Sequence, residues 1–296
     1  MNRTTSLIAR TASIAAALVV LGWILGLVFP VRAADQETTG VVSRLGLPFL
    51  SALLLAAPLV FPIGRSLLRS RALLAVVFLA VFGLSTVLTQ VESALFLNMT
   101  PAELLGETLR LTITSAALAW MAVALVPRFG TAPGSTARGP NPPTTASWVR
   151  RWVGVSCAYV VLYIAAGLLI LPIIRTWYET QGTLEPNPLV VFPLQLARGA
   201  LFVAFVVPLL RSMSVVRWQA SVSMAVMIPL VHGVAVLIPP NPFMPDYVRH
   251  AHMIEIGWSN FLLGLLIGFL FWKPPTPSST TVSSADRGTG ARPGGT

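Results

Sequence analysis

The residues best suited to chemistry lie near the end of the chain, where a polar cluster leads into an apolar helix. His252 and Glu255 are three residues apart, so both side chains project from one helix face. His250 precedes them near the expected start of the helix, where the backbone can turn its ring to the same side. Arg249 and Asn260 belong to the same cluster and are further candidates for ligand binding.

Two imidazoles and one carboxylate form a ligand set for zinc or non-haem iron. Without a metal, His252 and Glu255 suit proton transfer, because histidine titrates near neutral pH. A solvated helix cap with no chemistry is the simplest alternative. The spacing His-x-His-x-x-Glu differs from the His-Glu-x-x-His helix of zinc proteases, and the sequence contains no phosphate-binding glycine-rich loop. We therefore expect no cofactor, with a zinc or iron ion at His250, His252 and Glu255 as the alternative.

A second candidate is Arg198, which lies about ten residues, or ~15 Å, into the apolar stretch that begins at Pro188. An unpaired guanidinium at that depth of a bilayer costs at least ~2.5–3.5 kcal/mol, so a partner should be near. Gln195 shares its helix face. The expected partner is a carboxylate, from Glu92, Glu107 or Glu255. Such a pair is either part of a binding site or a buried structural ion pair.

Glu107 and Arg110 are also three residues apart, at the start of the fourth apolar stretch. They can pair with each other, and a carboxylate in the first helical turn suits the helix dipole. A structural pair is the favoured interpretation, with ligand binding as the alternative. His232 lies inside the seventh stretch, where it either hydrogen-bonds across helices or extends a polar path toward Arg198.

Composition decides which solvent surrounds these residues. Hydrophobic residues make up 55% of the chain, mean hydropathy is +0.77 and only 10% of residues are charged, against about 25% in a soluble domain. Lipid must therefore cover much of the surface. The net charge of +10 does not indicate nucleic acid, because basic residues alternate with apolar stretches instead of forming a patch. The single cysteine, Cys157, excludes an intramolecular disulfide.

A membrane-spanning helix needs ~20 mostly apolar residues. The sequence predicts eight such helices, and hence an all-α polytopic membrane protein. Their expected ranges are 11–30, 46–63, 72–97, 104–127, 149–172, 188–210, 218–238 and 254–272. We interpret the first as a retained helix and not as a signal peptide cleaved at Val31-Arg32-Ala33. Its apolar run exceeds the roughly 7–15 residues usual in a signal peptide.

Arginines crowd the loops expected on one side of the membrane, for example Arg65 and Arg211, whereas most acids, such as Asp35 and Glu185, lie on the other. The positive-inside rule places the arginine-rich side, with both termini, in the cytoplasm and the protein in the cell membrane. Anionic lipid headgroups are then the expected partners of the cytoplasmic side. A membrane protein or a second copy of the chain is a further candidate partner.

Segments 129–147 and 274–296 are rich in Pro, Gly, Ser and Thr, and we expect both to be disordered on the cytoplasmic side. They delimit two predicted four-helix units, 1–128 and 148–273. Both units contain the motif Pro-x-x-Arg-Ser at the end of their second helix. Because each unit has an even number of spans, a duplication would be a parallel repeat about an axis along the membrane normal.

The favoured function is a carrier or binder of a small anionic or lipid-like molecule, not an enzyme. Arg198 would hold the anionic group in the extracytoplasmic half of the bilayer. The expected site consists of Glu92, Glu107, Arg198, His252 and Glu255. One alternative is a membrane-embedded enzyme for a lipid or polyprenyl substrate, with His250, His252 and Glu255 in metal or acid–base roles. The other is an accessory subunit without a site of its own.

Overall fold

The computed structural model describes residues 2–29, 45–97, 99–129, 144–181, 188–240 and 243–272, without the side chains of Arg3 and Gln181. Eight helices within these ranges are long and apolar enough to span a membrane. They are α1 (Arg3–Val28), α2 (Leu47–Gly64), α3 (Ser70–Phe96), α4 (Pro101–Leu125), α5 (Thr145–Gln181), α6 (Pro188–Ser212), α7 (Arg217–Leu237) and α8 (Asp246–Phe271). The described ranges contain no strand, which confirms the prediction of an all-α protein with eight spans.

The helix α8 begins earlier than the sequence pattern indicated. It starts at Asp246, after Pro245 in an extended conformation, and not at the predicted residue 254. A carboxylate in the first turn stabilises a helix start, and Asp246 occupies that position. The whole polar cluster from Arg249 onward is therefore helical, which fixes the directions of its side chains.

The helices alternate in direction, and many of their arginines lie at one end of the bundle. Nη1 of Arg10, near the start of α1, donates to the carbonyl of Leu125 at the end of α4, at 2.8 Å. Nη1 of Arg128 donates to the carbonyl of Ile63 at the end of α2, at 2.7 Å. These bonds satisfy carbonyls that a helix end leaves unpaired. We call this the basic end, and its arginines include Arg10, Arg65, Arg128, Arg151, Arg211 and Arg217.

The helix α7 lies at the centre of the bundle, and α5 lies at its edge. In the most apolar part of each helix, 67% of residues are buried in α7 but only 22% in α5. The helix α8 packs closely on α7 because of two glycines. A Cβ atom on Gly264 would lie 2.6 Å from Cα of Ala225, and one on Gly268 would lie 2.4 Å from Cα of Ser221. Small residues allow such close approach between helices in a membrane.

Two π-helical segments lie side by side in α3 and α7, at Gly83–Val87 and Leu230–Val234. His232 Nδ1 donates to the carbonyl of Leu84 at 2.9 Å, and Thr89 Oγ1 donates to the carbonyl of His232 at 3.1 Å. Segments of this kind are frequent at functional sites. The two bonds tie α3 and α7 together at the level where polar side chains enter the core.

The two Pro-x-x-Arg-Ser motifs contact each other at the basic end. The backbone nitrogen of Leu67 donates to the carbonyl of Ser212 at 2.7 Å, and that of Ser214 donates to the carbonyl of Arg65 at 2.8 Å. Oγ of Ser66 donates to Oγ of Ser212 at 2.9 Å. Antiparallel pairing of matching segments is what a local two-fold axis would produce, although the duplication itself stays a prediction.

Several predictions fall on parts of the chain outside the described residues. These parts are the cleavage site at Val31-Arg32-Ala33, the acids Asp35 and Glu185, most of the linker (130–143) and the whole tail (274–296). At the end of the linker, α5 begins at Thr145, where the linker was expected to continue to residue 147.

Candidate functional site

A cavity of about 350 Å³ lies between α3, α5, α7 and α8. Its apolar wall comes mainly from α5, through Ile164, Leu168 and Leu171. The side chain of Leu168 is 64% exposed on the surface of the bundle, and the other two are also exposed. Since these residues belong to a membrane-spanning helix, the cavity is continuous with the surface that lipid covers.

The polar part of the cavity contains a chain of three hydrogen-bonded side chains, Tyr178, His252 and Glu255. His252 Nδ1 lies 2.6 Å from Glu255 Oε2, and the Tyr178 hydroxyl lies 3.1 Å from His252 Nε2. A carboxylate only accepts hydrogen bonds, so Nδ1 carries the proton, and in the neutral ring Nε2 accepts from the Tyr178 hydroxyl. The expectation that His252 and Glu255 share a helix face is met by this contact.

Arg198 has the carboxylate partner that its depth requires, and that partner is Glu92. Nη1 of Arg198 donates to Glu92 Oε1 at 2.6 Å and to Gln195 Oε1 at 2.9 Å, while the ring of Tyr159 faces the guanidinium. Arg198 is only 1% exposed and does not line the cavity, whereas the Glu92 side chain is 29% exposed and does. The arginine therefore acts behind the cavity wall, where it balances the charge of Glu92.

His232 joins this ion pair from α7. Its Nδ1 carries the proton given to the Leu84 carbonyl, so its unprotonated Nε2 faces Arg198 Nη2 at 3.4 Å. The same Nε2 lies 4.0 Å from Glu92 Oε2, and the ring packs edge-on against Phe202. His232 thus fits both of its sequence interpretations: it hydrogen-bonds across helices to Leu84, and it extends the polar network toward Arg198.

Glu107, Arg110 and Arg249 are further predicted site residues that do not line the cavity. Glu107 and Arg110 form a two-bond ion pair with each other on α4, which is the structural interpretation. Arg249 is buried and donates through Nη1 to the carbonyls of Leu237 and Ile238 at the end of α7. Its Nη2 reaches Asp246 at 2.8 Å. Arg249 therefore fastens the start of α8 to the end of α7.

The set His250, His252 and Glu255 is not brought together, and this corrects the metal hypothesis. Because α8 already includes residue 250, the two histidines point about 200° apart around the helix axis. His250 is exposed and is not part of the cavity wall. Across the described ranges, no group of three His, Cys, Asp or Glu side chains is arranged to hold a metal ion.

Asn260 lines the cavity five residues after Glu255 and is 3% exposed. Its Oδ1 atom has no hydrogen-bond partner among the described residues. A buried amide oxygen without a partner is unfavourable, and this atom is closed off from solvent.

Sequence reasoning missed the tyrosines of α5. The chain has 4 tyrosines, and three of them, Tyr159, Tyr163 and Tyr178, line the cavity. Tyr159 and Tyr163 are four residues apart and so share a helix face, a signal that was present in the sequence. Tyr178 lies almost at the end of α5, and only the packing of α5 on α8 shows its contact with His252.

Comparison of the chain with protein-family models, curated proteins and solved structures gives no match. The function is therefore inferred from the cavity and the side chains around it.

Proposed function

We propose that the protein binds an amphiphilic, lipid-like molecule that enters the cavity from the bilayer. One observation carries the proposal: a wall of leucine and isoleucine that is open to lipid leads to a group of hydrogen-bonding side chains. An apolar chain loses little by moving from lipid to this wall. A polar head group gains partners that the hydrocarbon core of a bilayer does not offer.

The charges of the cavity favour a different head group from the anionic one that the sequence suggested. Arg198, the expected anion ligand, is buried behind the wall and bonded to Glu92 and Gln195. The carboxylates of Glu92 and Glu255 face the cavity instead. An anion there would be repelled, and we therefore retain the lipid-like part of the hypothesis and not the anionic part.

The positive-inside rule supports an orientation with the basic end in the cytoplasm of the cell. Tyr178, His252 and the start of α8 belong to the opposite end of the bundle. The polar part of the cavity would then lie in the extracytoplasmic half of the bilayer. A lipid-like molecule of the outer leaflet would reach it without crossing the membrane.

The chain of Tyr178, His252 and Glu255 supports a second candidate function, a membrane-embedded enzyme for a lipid or polyprenyl substrate. His252 would accept or donate the proton, with Glu255 holding the ring in one orientation. Simple binding leaves the occupant chemically unchanged. Mass spectra of the bound molecule before and after incubation at neutral pH therefore distinguish binding from catalysis.

The binding proposal is tested by filling the cavity. Gly167 lines it, and a Cβ atom there would meet nothing within 4 Å, so the indole of Gly167→Trp has room to enter. Gly154 lies on the same helix, is equally open and is not part of the cavity wall, which makes Gly154→Trp the matched control. Native mass spectrometry of protein extracted in mild detergent should detect a bound lipid-like molecule in wild type and control, and not in Gly167→Trp. Equal occupancy in all three would refute the proposal.

A further inference from the structure

The cavity wall is acidic. Among the described residues that line it, the carboxylates are Glu92 and Glu255, the titratable rings are His232 and His252, and no lysine or arginine is present. A site of this composition in a membrane protein attracts positive charge, because the surrounding low dielectric strengthens the interaction between charges.

Only one of the two carboxylates has a cation of its own. Glu92 is balanced by Arg198, at 2.6 Å. Glu255 contacts His252, which in its neutral form donates a hydrogen bond but brings no charge. The side chain of Glu255 is 12% exposed, so water screens it little. One negative charge therefore stays uncompensated while His252 is neutral.

The described parts of the helices around His252 bring few charged or titratable groups to it. The helix α5 contributes the neutral Tyr163 and Tyr178, α3 contributes Glu92, and α7 contributes His232. On α8 itself, Arg249 lies one turn earlier and is engaged by Asp246 and two carbonyls. None of these groups supplies a positive charge directly to Glu255.

Other features of the wall also suit a cation. Tyrosine rings attract ammonium groups through their faces, and Tyr159, Tyr163 and Tyr178 all border the cavity. Aromatic rings beside a carboxylate are groups that attract an organic cation.

We propose that the molecule bound here is a lipophilic cation, an amine or quaternary ammonium with an apolar chain, and that its binding competes with protonation of His252. This inference rests on the proposed function. The cation would lie beside Glu255 with its chain along Ile164, Leu168 and Leu171. A proton on His252 would provide the same countercharge, so affinity should be high at alkaline pH and should fall as the pH is lowered.

The test uses radiolabelled decyltrimethylammonium and full-length protein in detergent, with decyl sulfate and decanol as unlabelled competitors. The permanent charge of the probe ensures that only the protein titrates. We expect saturable binding that decanol and decyl sulfate displace at least tenfold less effectively than the unlabelled cation. Affinity should weaken as the pH is lowered, by up to about tenfold per pH unit, as proton linkage at one site requires.

Substitutions of Glu255 and His252 test the roles assigned to these two residues. Glu255→Gln should weaken binding of the cation at least tenfold. Glu179, near the end of α5, is an exposed carboxylate paired with Arg175, so Glu179→Gln is the control and should leave binding unchanged. His252→Gln keeps a side chain that hydrogen-bonds but does not titrate. It should retain binding and lose most of the pH dependence, so the proposal stays testable even if Glu255→Gln does not fold.

Failure of this inference differs from failure of the proposed function. If decyl sulfate or decanol binds as well as the cation and Gly167→Trp abolishes that binding, the cavity takes a lipid-like molecule but the charge assignment is wrong. If Glu255→Gln is well folded and binds normally, the role of Glu255 is wrong. If no probe binds wild type better than Gly167→Trp, the proposed function itself fails with these probes.

Discussion

The carboxylate of Glu92 lies 2.6 Å from the guanidinium of Arg198, although the two residues are 106 positions apart in the chain. This ion pair joins α3 to α6 inside the apolar core. One partner is fully buried and the other borders the cavity. The pair therefore contributes to the stability of the bundle, and it also sets the charge on the cavity wall.

Breaking this pair on one side should be far more harmful than replacing both partners. Arg198→Met leaves the Glu92 carboxylate without its cation and should cost about 3 kcal/mol. Replacing both residues with Met should recover most of that loss, because the desolvated charges disappear together. Urea unfolding in mixed micelles measures both values. Arg110→Met, in the partly exposed pair with Glu107, is the control and should cost less than about 1 kcal/mol.

Gly83 should tolerate no side chain while Phe205 keeps its position. A Cβ atom on Gly83 would lie 2.1 Å from Cγ of the Phe205 ring, so Gly83→Ala forces α3 and α6 apart. We expect a loss of about 1–3 kcal/mol, measured by thermal unfolding, with partial recovery in Gly83→Ala/Phe205→Leu. Gly106→Ala, which would meet nothing within 4 Å, should be neutral or slightly stabilising. A neutral Gly83→Ala would contradict the packing described here.

Arg249 should hold the end of α7 against the start of α8. Arg249→Met removes charge-assisted bonds to the carbonyls of Leu237 and Ile238 and leaves those acceptors unpaired, at a cost of about 2–3 kcal/mol. Hydrogen exchange should become faster at the start of α8, around residues 249–253. The same substitution at Arg175, which is 65% exposed, should alter neither stability nor exchange. Unchanged protection in Arg249→Met would show that the clamp is unimportant.

The proposed orientation predicts which end a membrane-impermeant maleimide reaches from outside the cell. In a Cys157→Ala background, Glu179→Cys at the end of α5 should be labelled on intact cells. Arg71→Cys, exposed near the start of α3 at the basic end, should be labelled only after the cells are opened. The reverse pattern would invert the topology.

The sequence predicted the eight spans correctly because a membrane helix is defined by local composition, which needs no knowledge of the fold. The need of Arg198 for a carboxylate was equally predictable, since a buried guanidinium cannot remain unpaired. The identity of the partner, Glu92 and not Glu107 or Glu255, was not predictable from the sequence. It depends on which helices are neighbours in the folded bundle, and the contact between α3 and α6 joins parts of the chain that are far apart in sequence.

The start of α8 shows why the metal hypothesis failed. Hydropathy alone excludes polar residues from a span, so the eighth span was predicted to begin at residue 254, with His250 where the loop meets the helix. The helix nevertheless begins at Asp246, and its fixed geometry separates His250 from His252. The contact of Tyr178 with His252 was likewise beyond prediction, because 74 residues separate them and only the packing of α5 on α8 joins them.

The π turn at Gly83–Val87 has a consequence for Glu92, five positions further along α3. A π turn holds one residue more than the α-helical register requires, which rotates everything after it by about 100° relative to a continuous α-helix. Without that surplus residue, Glu92 would face another quadrant of the bundle and Arg198 would lose its counterion. Deleting a single residue from this turn would therefore do more than shorten the helix: it would turn the acidic side chain out of the cavity wall.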